Sequence, residues 1–163
     1  MRSTRWTGHV LLLFAVAGCA VAGRTGSEAT GSPKATLTAW ADSLRLSDVD
    51  GMLAFYENSD EVAAFESYGR VRRGTSGIRE MYEDAFGAVE FRRAWMDSLR
   101  VRQSGNVAWA TCNLNSDTVL KADGAPWKLQ IHGSFVLKKN GPSWRIVLGH
   151  FSSREGIPRV SPG

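Results

Sequence analysis

Apolar residues recur at helical spacing in three segments in the first half of the chain, and each spacing predicts one amphipathic helix. Ser47 or Asp48 can cap the second helix, and Thr75 or Ser76 can cap the third. The apolar faces of the three predicted helices consist of Leu37, Trp40, Ala41 and Leu44; Val49, Met52, Leu53 and Tyr56; and Ile78, Met81, Tyr82, Ala85 and Phe86.

The pattern changes after residue 87 to one typical of β-strands. Turn residues at 104–105, 123–124 and 140–142 separate four candidate strands, at 91–103, 106–119, 126–139 and 143–153. Residues 61–69 and 70–74 predict a shorter strand or hairpin between the second and third helices. Short turns between consecutive strands favour an antiparallel meander. The element order predicts an α+β fold, in which three helices pack on the concave face of a curved antiparallel sheet.

The N-terminus has the features of an export signal. Arg2 and Arg5 precede an apolar run that is too short to span a bilayer and that ends in small residues. Residues 16–19, VAGC, resemble the lipobox of bacterial lipoproteins, which implies cleavage before Cys19 and a lipid on that cysteine. Ala20 follows instead of aspartate, so the sorting rules of two-membrane bacteria imply the periplasmic face of the outer membrane. The alternative is an ordinary signal peptide that happens to be followed by a cysteine.

The domain organisation follows from composition. Residues 1–18 are expected to be the signal peptide, and 19–33 a flexible tether rich in Gly, Ala, Ser and Thr. Residues 34–155 are expected to fold as one domain, and the proline-containing tail, 156–163, to be loose.

Charge and cysteine content exclude some function classes. The net charge of +4 falls to +2 when the signal peptide is removed, and the basic residues are mostly scattered, so we expect no nucleic-acid partner. Cys112 lies in an apolar run with no base beside it, which favours a buried thiol over a catalytic nucleophile. No Cys/His spacing of the metal-binding kind occurs, so we expect neither a metal site nor a cofactor.

The element order and three local strings resemble the nuclear transport factor 2-like superfamily, which includes ketosteroid isomerases and SnoaL-like polyketide cyclases. The strings are LSDVDGML at 46–53, GTSGIREMY at 74–82 and GPSWRIV at 141–147. The resemblance implies a cone-shaped α+β fold over about residues 34–153, with a cavity at the wide end of the cone. It does not imply one chemistry, because the same fold carries enzymes and binding proteins.

The isomerases of this superfamily have a catalytic carboxylate on the first strand, and the resemblance places Glu66 at that position. Trp40 stands where their oxyanion-hole tyrosine lies, and 132–133 where their second acid lies, so isomerase chemistry is not expected. Strand alternation puts Trp144 and His150 on one face, which by resemblance lines the cone. His150 and Glu66 are therefore the catalytic candidates, and we expect a ligand to contact His150, Glu66, Tyr68, Trp40 and Trp144.

Three functions remain open from the sequence. The leading one is a membrane-anchored envelope protein that binds a small apolar ligand or forms a homodimer. The second is a SnoaL-like enzyme that performs acid-base chemistry, such as isomerisation, cyclisation or hydrolysis, on a small organic substrate. The third is a subunit whose open sheet face docks another chain.

Overall fold

The computed structural model describes residues 31–153 and places three helices against one face of a six-stranded sheet. The signal peptide, Cys19, most of the expected tether and the C-terminal tail lie outside the described residues. No helix within 31–153 is long and apolar enough to cross a membrane.

The helices follow the predicted apolar spacing. Helix α1 (Pro33–Ser43) begins at Ser32, whose hydroxyl accepts a hydrogen bond from the amide of Ala35, and it continues into a 3₁₀ turn at Leu44–Leu46. Helix α2 (Val49–Leu53) is capped by Asp48, as predicted, through the amide of Gly51 at 3.1 Å.

Helix α3 (Gly74–Ala88) buries Ile78, Met81, Tyr82 and Phe86, which confirms most of its predicted face. Its predicted caps are wrong, because the helix begins one residue before Thr75 and has no side-chain cap. Thr75 instead donates its hydroxyl hydrogen to Asn58 Oδ1. Gly74 supplies the positive φ at this start, at 68°.

The sheet consists of β1 (Ala63–Phe65), β2 (Val71–Arg73), β3 (Val89–Ser104), β4 (Val107–Leu120), β5 (Pro126–Asn140) and β6 (Ser143–Ser152). The spatial order is β2-β1-β6-β5-β4-β3. Strands β3 to β6 form the predicted antiparallel meander, whereas β1 joins β6 in parallel. The predicted α+β fold class is confirmed. The long segment 61–69 forms only a three-residue strand, because a turn begins beyond Phe65.

Aromatic side chains fill the space between the helices and the concave face. Trp40 packs edge-on to Phe135 at 5.2 Å and stacks on Phe151 at 6.0 Å between ring centroids. Cys112 lies opposite Gly133 in the β4–β5 pair and is buried, as predicted. A Cβ at Gly133 would lie 3.1 Å from Cys112 Sγ and 2.9 Å from the Phe135 ring, so only glycine fits there.

Candidate functional site

His150 does not share a face with Trp144. The β5–β6 register shifts between Val136 and Leu137, so that Val147 is an extra residue on β6 and reverses the alternation beyond it. Trp144 is buried in the core, whereas His150 is exposed and its ring lies edge-on to Phe65 at 5.9 Å. The prediction that His150 lines the cone is therefore wrong, because a bulge changes which residues face inward.

Glu66 is held in an ion-pair cluster. Arg72 Nε donates to Glu66 Oε1 at 2.6 Å, and the two side chains are only 8% and 9% exposed. The same guanidinium reaches two carboxylates of α3, those of Glu80 and Asp84. Although burial opposes its charge, the hydrogen bonds that Arg72 donates to the carboxylates of Glu66 and Asp84 raise its pKa above the ordinary value. Glu66 is thus the partner of a buried cation and not a free base.

The two catalytic candidates lie on opposite faces of the sheet. Phe65 is the register partner of His150, and Glu66 is the next residue, so its side chain points toward α3. Tyr68, in the turn after β1, is 54% exposed, with the Arg70 guanidinium 5.7 Å from its ring centre. Hence the structure does not bring His150, Glu66 and Tyr68 together around one cavity.

Trp40 belongs to a buried hydrogen-bonded group inside the cone. Its Nε1 donates to the Tyr82 hydroxyl at 2.7 Å, and the hydroxyls of Tyr82 and Tyr56 are 2.9 Å apart. Burial raises the pKa of Tyr56 to about 12 and that of Tyr82 well above its ordinary value, so both stay neutral at physiological pH. The indole N–H and the two hydroxyls supply three donor hydrogens, but the group contains only two hydrogen bonds. One hydroxyl hydrogen is therefore not used within the group.

A groove between α1 and β3 is a candidate binding cavity. It has a volume of about 340 Å³, and the residues that line it include Ala41, Trp95, Met96 and Leu99. Lys34, Thr38 and Asp42 complete its lining, which gives it one cationic and one anionic group. The volume lies at the lower end of the range for small-molecule sites. Sequence reasoning missed this groove.

The outer face of the sheet carries a polar network that the sequence pattern only partly indicates. Asp97 accepts hydrogen bonds from the amide groups of Asn113 and Asn115, at 2.7 and 2.8 Å. These bonds lower the pKa of Asp97. Gln130 donates to Asn115, and His132 Nδ1 lies 2.9 Å from Asn113 Oδ1. Because the Asn113 amide nitrogen faces Asp97, its oxygen accepts from His132 Nδ1, which fixes the imidazole tautomer.

Two signals in the sequence point to these missed features. The outward positions of β3, β4 and β5 carry carboxylate, amide and imidazole side chains that are register partners. Alternation of inward and outward residues predicts these positions once the turns are known. The groove has a weaker signal, because it depends on the register shift between Asp97 and Arg100 in β3. That shift brings Met96 and Leu99 to the same groove although they are three residues apart.

Three solved structures of similar fold each share less than a quarter of their sequence with this chain. A candidate calcium/calmodulin-dependent protein kinase type II association domain from Thiobacillus denitrificans matches with a TM-score of 0.64 and 20% identity, over 77% of this chain and 98% of its own. A ketosteroid isomerase-like protein from Erwinia carotovora atroseptica matches with a TM-score of 0.65 and 19% identity, over 75% of this chain and 93% of its own. A nuclear transport factor 2 superfamily protein from Salmonella enterica serovar Typhimurium matches with a TM-score of 0.60 and 24% identity, over 74% of this chain and 87% of its own.

These likenesses concern the fold, which the three proteins share with this chain despite their different names. No curated protein sequence matches the chain. A family model described as a SnoaL-like domain matches residues 34–154, which is most of the chain. The chain therefore belongs to the SnoaL-like family.

Proposed function

We propose that this SnoaL-like domain binds a small, largely apolar ligand in the groove between α1 and β3, and that lipid on Cys19 holds it at a membrane. The observation that carries the ligand proposal is the lining of the groove. Met96, Leu99 and Ala41 give it an apolar floor, and Lys34 and Asp42 lie beside that floor. A floor of this kind with a few polar groups is the usual composition of a ligand site.

The lining also suggests the shape of the ligand. An apolar body fits against Met96 and Leu99, while one polar or charged end meets Lys34 or Asp42. A ligand of this size buries few atoms, so moderate affinity is expected.

The alternative, acid-base catalysis by His150 and Glu66, has less support. Glu66 is engaged with Arg72, and His150 lies on the other face of the sheet. General acid-base catalysis requires both groups within hydrogen-bond reach of one substrate.

Binding of fluorescent apolar probes tests the groove. We expect the neutral probe N-phenyl-1-naphthylamine to bind the native protein and Met96→Glu to weaken it at least about tenfold, since the new carboxylate would stand in the apolar floor. Leu46→Glu is the matched control, because Leu46 is 58% exposed and lies outside the groove lining. Equal binding by the native and Met96→Glu proteins, with both still folded, would refute the proposed site.

The anionic probe 1-anilinonaphthalene-8-sulfonate separates the contributions of the charged groups. Lys34→Gln should weaken the anionic probe and leave the neutral probe unchanged, because Lys34 is the cation of the groove. Asp42→Asn should strengthen binding of the anionic probe, because it removes a negative charge that repels the probe. If neither variant changes binding of the anionic probe, the probes bind outside the groove.

A further inference from the structure

One end of the outer sheet face combines exposed apolar groups with positive charge. We call it the basic outer patch and define it by Arg100, Arg102, Val107, Trp109, Val136 and Lys138. Register places these residues on one face: Arg102, Trp109 and Val136 are paired in a row across β3, β4 and β5, and Val107 is paired with Lys138. The patch adjoins the β3–β4 and β5–β6 turns.

The apolar members of the patch are unusually exposed. Trp109 is 49% exposed and Val107 is 45% exposed, and they share one face of the sheet because they are alternate residues of one strand. The other exposed large apolar side chains of residues 31–153 are Leu46, Tyr68 and Val71, which lie outside β3–β6. Adjacent exposed apolar groups on one sheet face indicate a surface that another body covers.

The charges of the patch are largely uncompensated. Arg100 and Arg102 make no side-chain hydrogen bond or ion pair with any residue of 31–153, and Lys138 reaches only Glu57, at 3.4 Å. The opposite end of the same face is different, because Lys128 pairs with Asp117 and the Asp97 network is satisfied internally. The opposite end also carries an arginine beside an indole, since the Arg93 guanidinium lies 4.4 Å from the ring centre of Trp95, but carboxylates accompany the basic groups there.

Tryptophan and valine among arginine and lysine side chains match the chemistry of an anionic bilayer surface. Indole rings partition to the level of the headgroups, and each basic residue near an anionic membrane contributes about 1 kcal/mol. Guanidinium groups bind phosphodiesters through paired N–H donors. A second copy of this chain fits less well, because packing two such patches together brings arginines of both chains into one interface.

The position of α1 is compatible with this arrangement. Lys34 and Thr38 of α1 line the groove together with Met96 and Leu99 of β3, so the chain enters the domain at the β3 edge of the sheet. Leu99 directly precedes Arg100 of the basic outer patch. Only 12 positions separate Cys19 from residue 31, so a lipid on Cys19 would hold the domain close to the bilayer. A short tether raises the effective concentration of a weakly binding surface.

We propose that the basic outer patch rests on anionic phospholipid headgroups of the membrane that anchors the chain; this rests on the proposed lipid at Cys19. Docking would turn the outer sheet face toward the bilayer and leave the groove on the α1 side accessible.

Quenching of tryptophan fluorescence by brominated lipids tests the docking. The full protein is purified, its intact mass reports whether Cys19 is lipidated, and it is reconstituted into phosphatidylcholine vesicles with or without phosphatidylglycerol. We expect bromine quenching only in the anionic vesicles, its loss in Trp109→Phe, and its suppression by high salt. Arg100→Glu with Arg102→Glu should shift the docking equilibrium at least about tenfold toward the undocked state.

The matched control reverses two lysines at the other end of the sheet, Lys121→Glu with Lys128→Glu, and should keep the quenching although the net charge changes equally. Quenching that is the same in Trp109→Phe, or the same in both vesicle types, overturns the proposal. Loss of a dimer in the patch variants, without quenching, assigns the surface to a second copy and also overturns it. An unlipidated mass refutes the anchor separately, and retained quenching would then still support the patch.

Discussion

At the scale of single residues, burial gives Cys112 a measurable influence on stability. The thiol is 5% exposed and faces Gly133 across the β4–β5 pair, where no larger residue fits. Burial raises the pKa of Cys112 from 9.0 to about 11, because the thiolate would lose its water. The thiol is therefore a structural group at the centre of the sheet.

Stability should fall with pH because of this thiol. A raised pKa means that the unfolded chain releases its proton first, so the stabilisation is full below about pH 9 and is lost as the pH approaches 11. The expected slope near pH 9–10 is at most about 1.4 kcal/mol per pH unit. Urea unfolding at pH 8 to 10 measures it, and Cys112→Ala should flatten the curve. A curve of equal slope in both proteins would contradict the assignment.

At the scale of elements, α3 joins the β1–β2 hairpin to the core. Its inner side buries Ile78, Met81 and Phe86, while Glu80 and Asp84 reach Arg72 of β2. The apolar spacing of this helix could be read from the sequence, because burial follows the 3.6-residue period. Its first residue could not, since the start depends on Gly74 adopting a positive φ beside Asp60.

Replacing Met81 by aspartate tests the docking of α3. Met81 is 8% exposed, so the carboxylate would be buried without a partner, and we expect a loss of several kcal/mol of unfolding free energy. Ser76→Asp is the control on the same helix, because Ser76 is exposed near the N-terminus, where a negative charge is favourable. Thermal denaturation compares the two; a native melting temperature for Met81→Asp would mean that this face does not pack as described.

At the scale of the whole molecule, the sequence was sufficient for the fold class but not for the site. Helical spacing and turn residues placed the four long strands to within about two residues. The faces of β6 were not predictable, because Val147 adds one residue that no propensity marks, and it moves His150 outward. The pairing of Glu66 with Arg72 likewise depends on a hairpin whose register is set by tertiary contacts.

Membrane attachment of the whole protein is tested by replacing Cys19 with serine. If a lipid is attached there, the variant should be released from membranes or remain as an unprocessed precursor with a larger mass. Fractionation with intact-mass measurement distinguishes these outcomes. Cys112→Ser controls for thiol loss and should keep the membrane fraction unchanged. A Cys19→Ser protein that stays in the membrane fraction with the native mature mass would contradict lipidation.

The attachment of the β1–β2 hairpin has a consequence for cooperativity. Two three-residue strands meet the rest of the sheet through one short parallel pair, and beneath them a single guanidinium connects three carboxylates. Such a corner can open as a separate unit before the long meander does. Amide hydrogen exchange would then divide the domain into two protection classes. The weaker class would respond to ionic strength, because the partners Glu80 and Asp84 are open to solvent, and the stronger class would report on global unfolding.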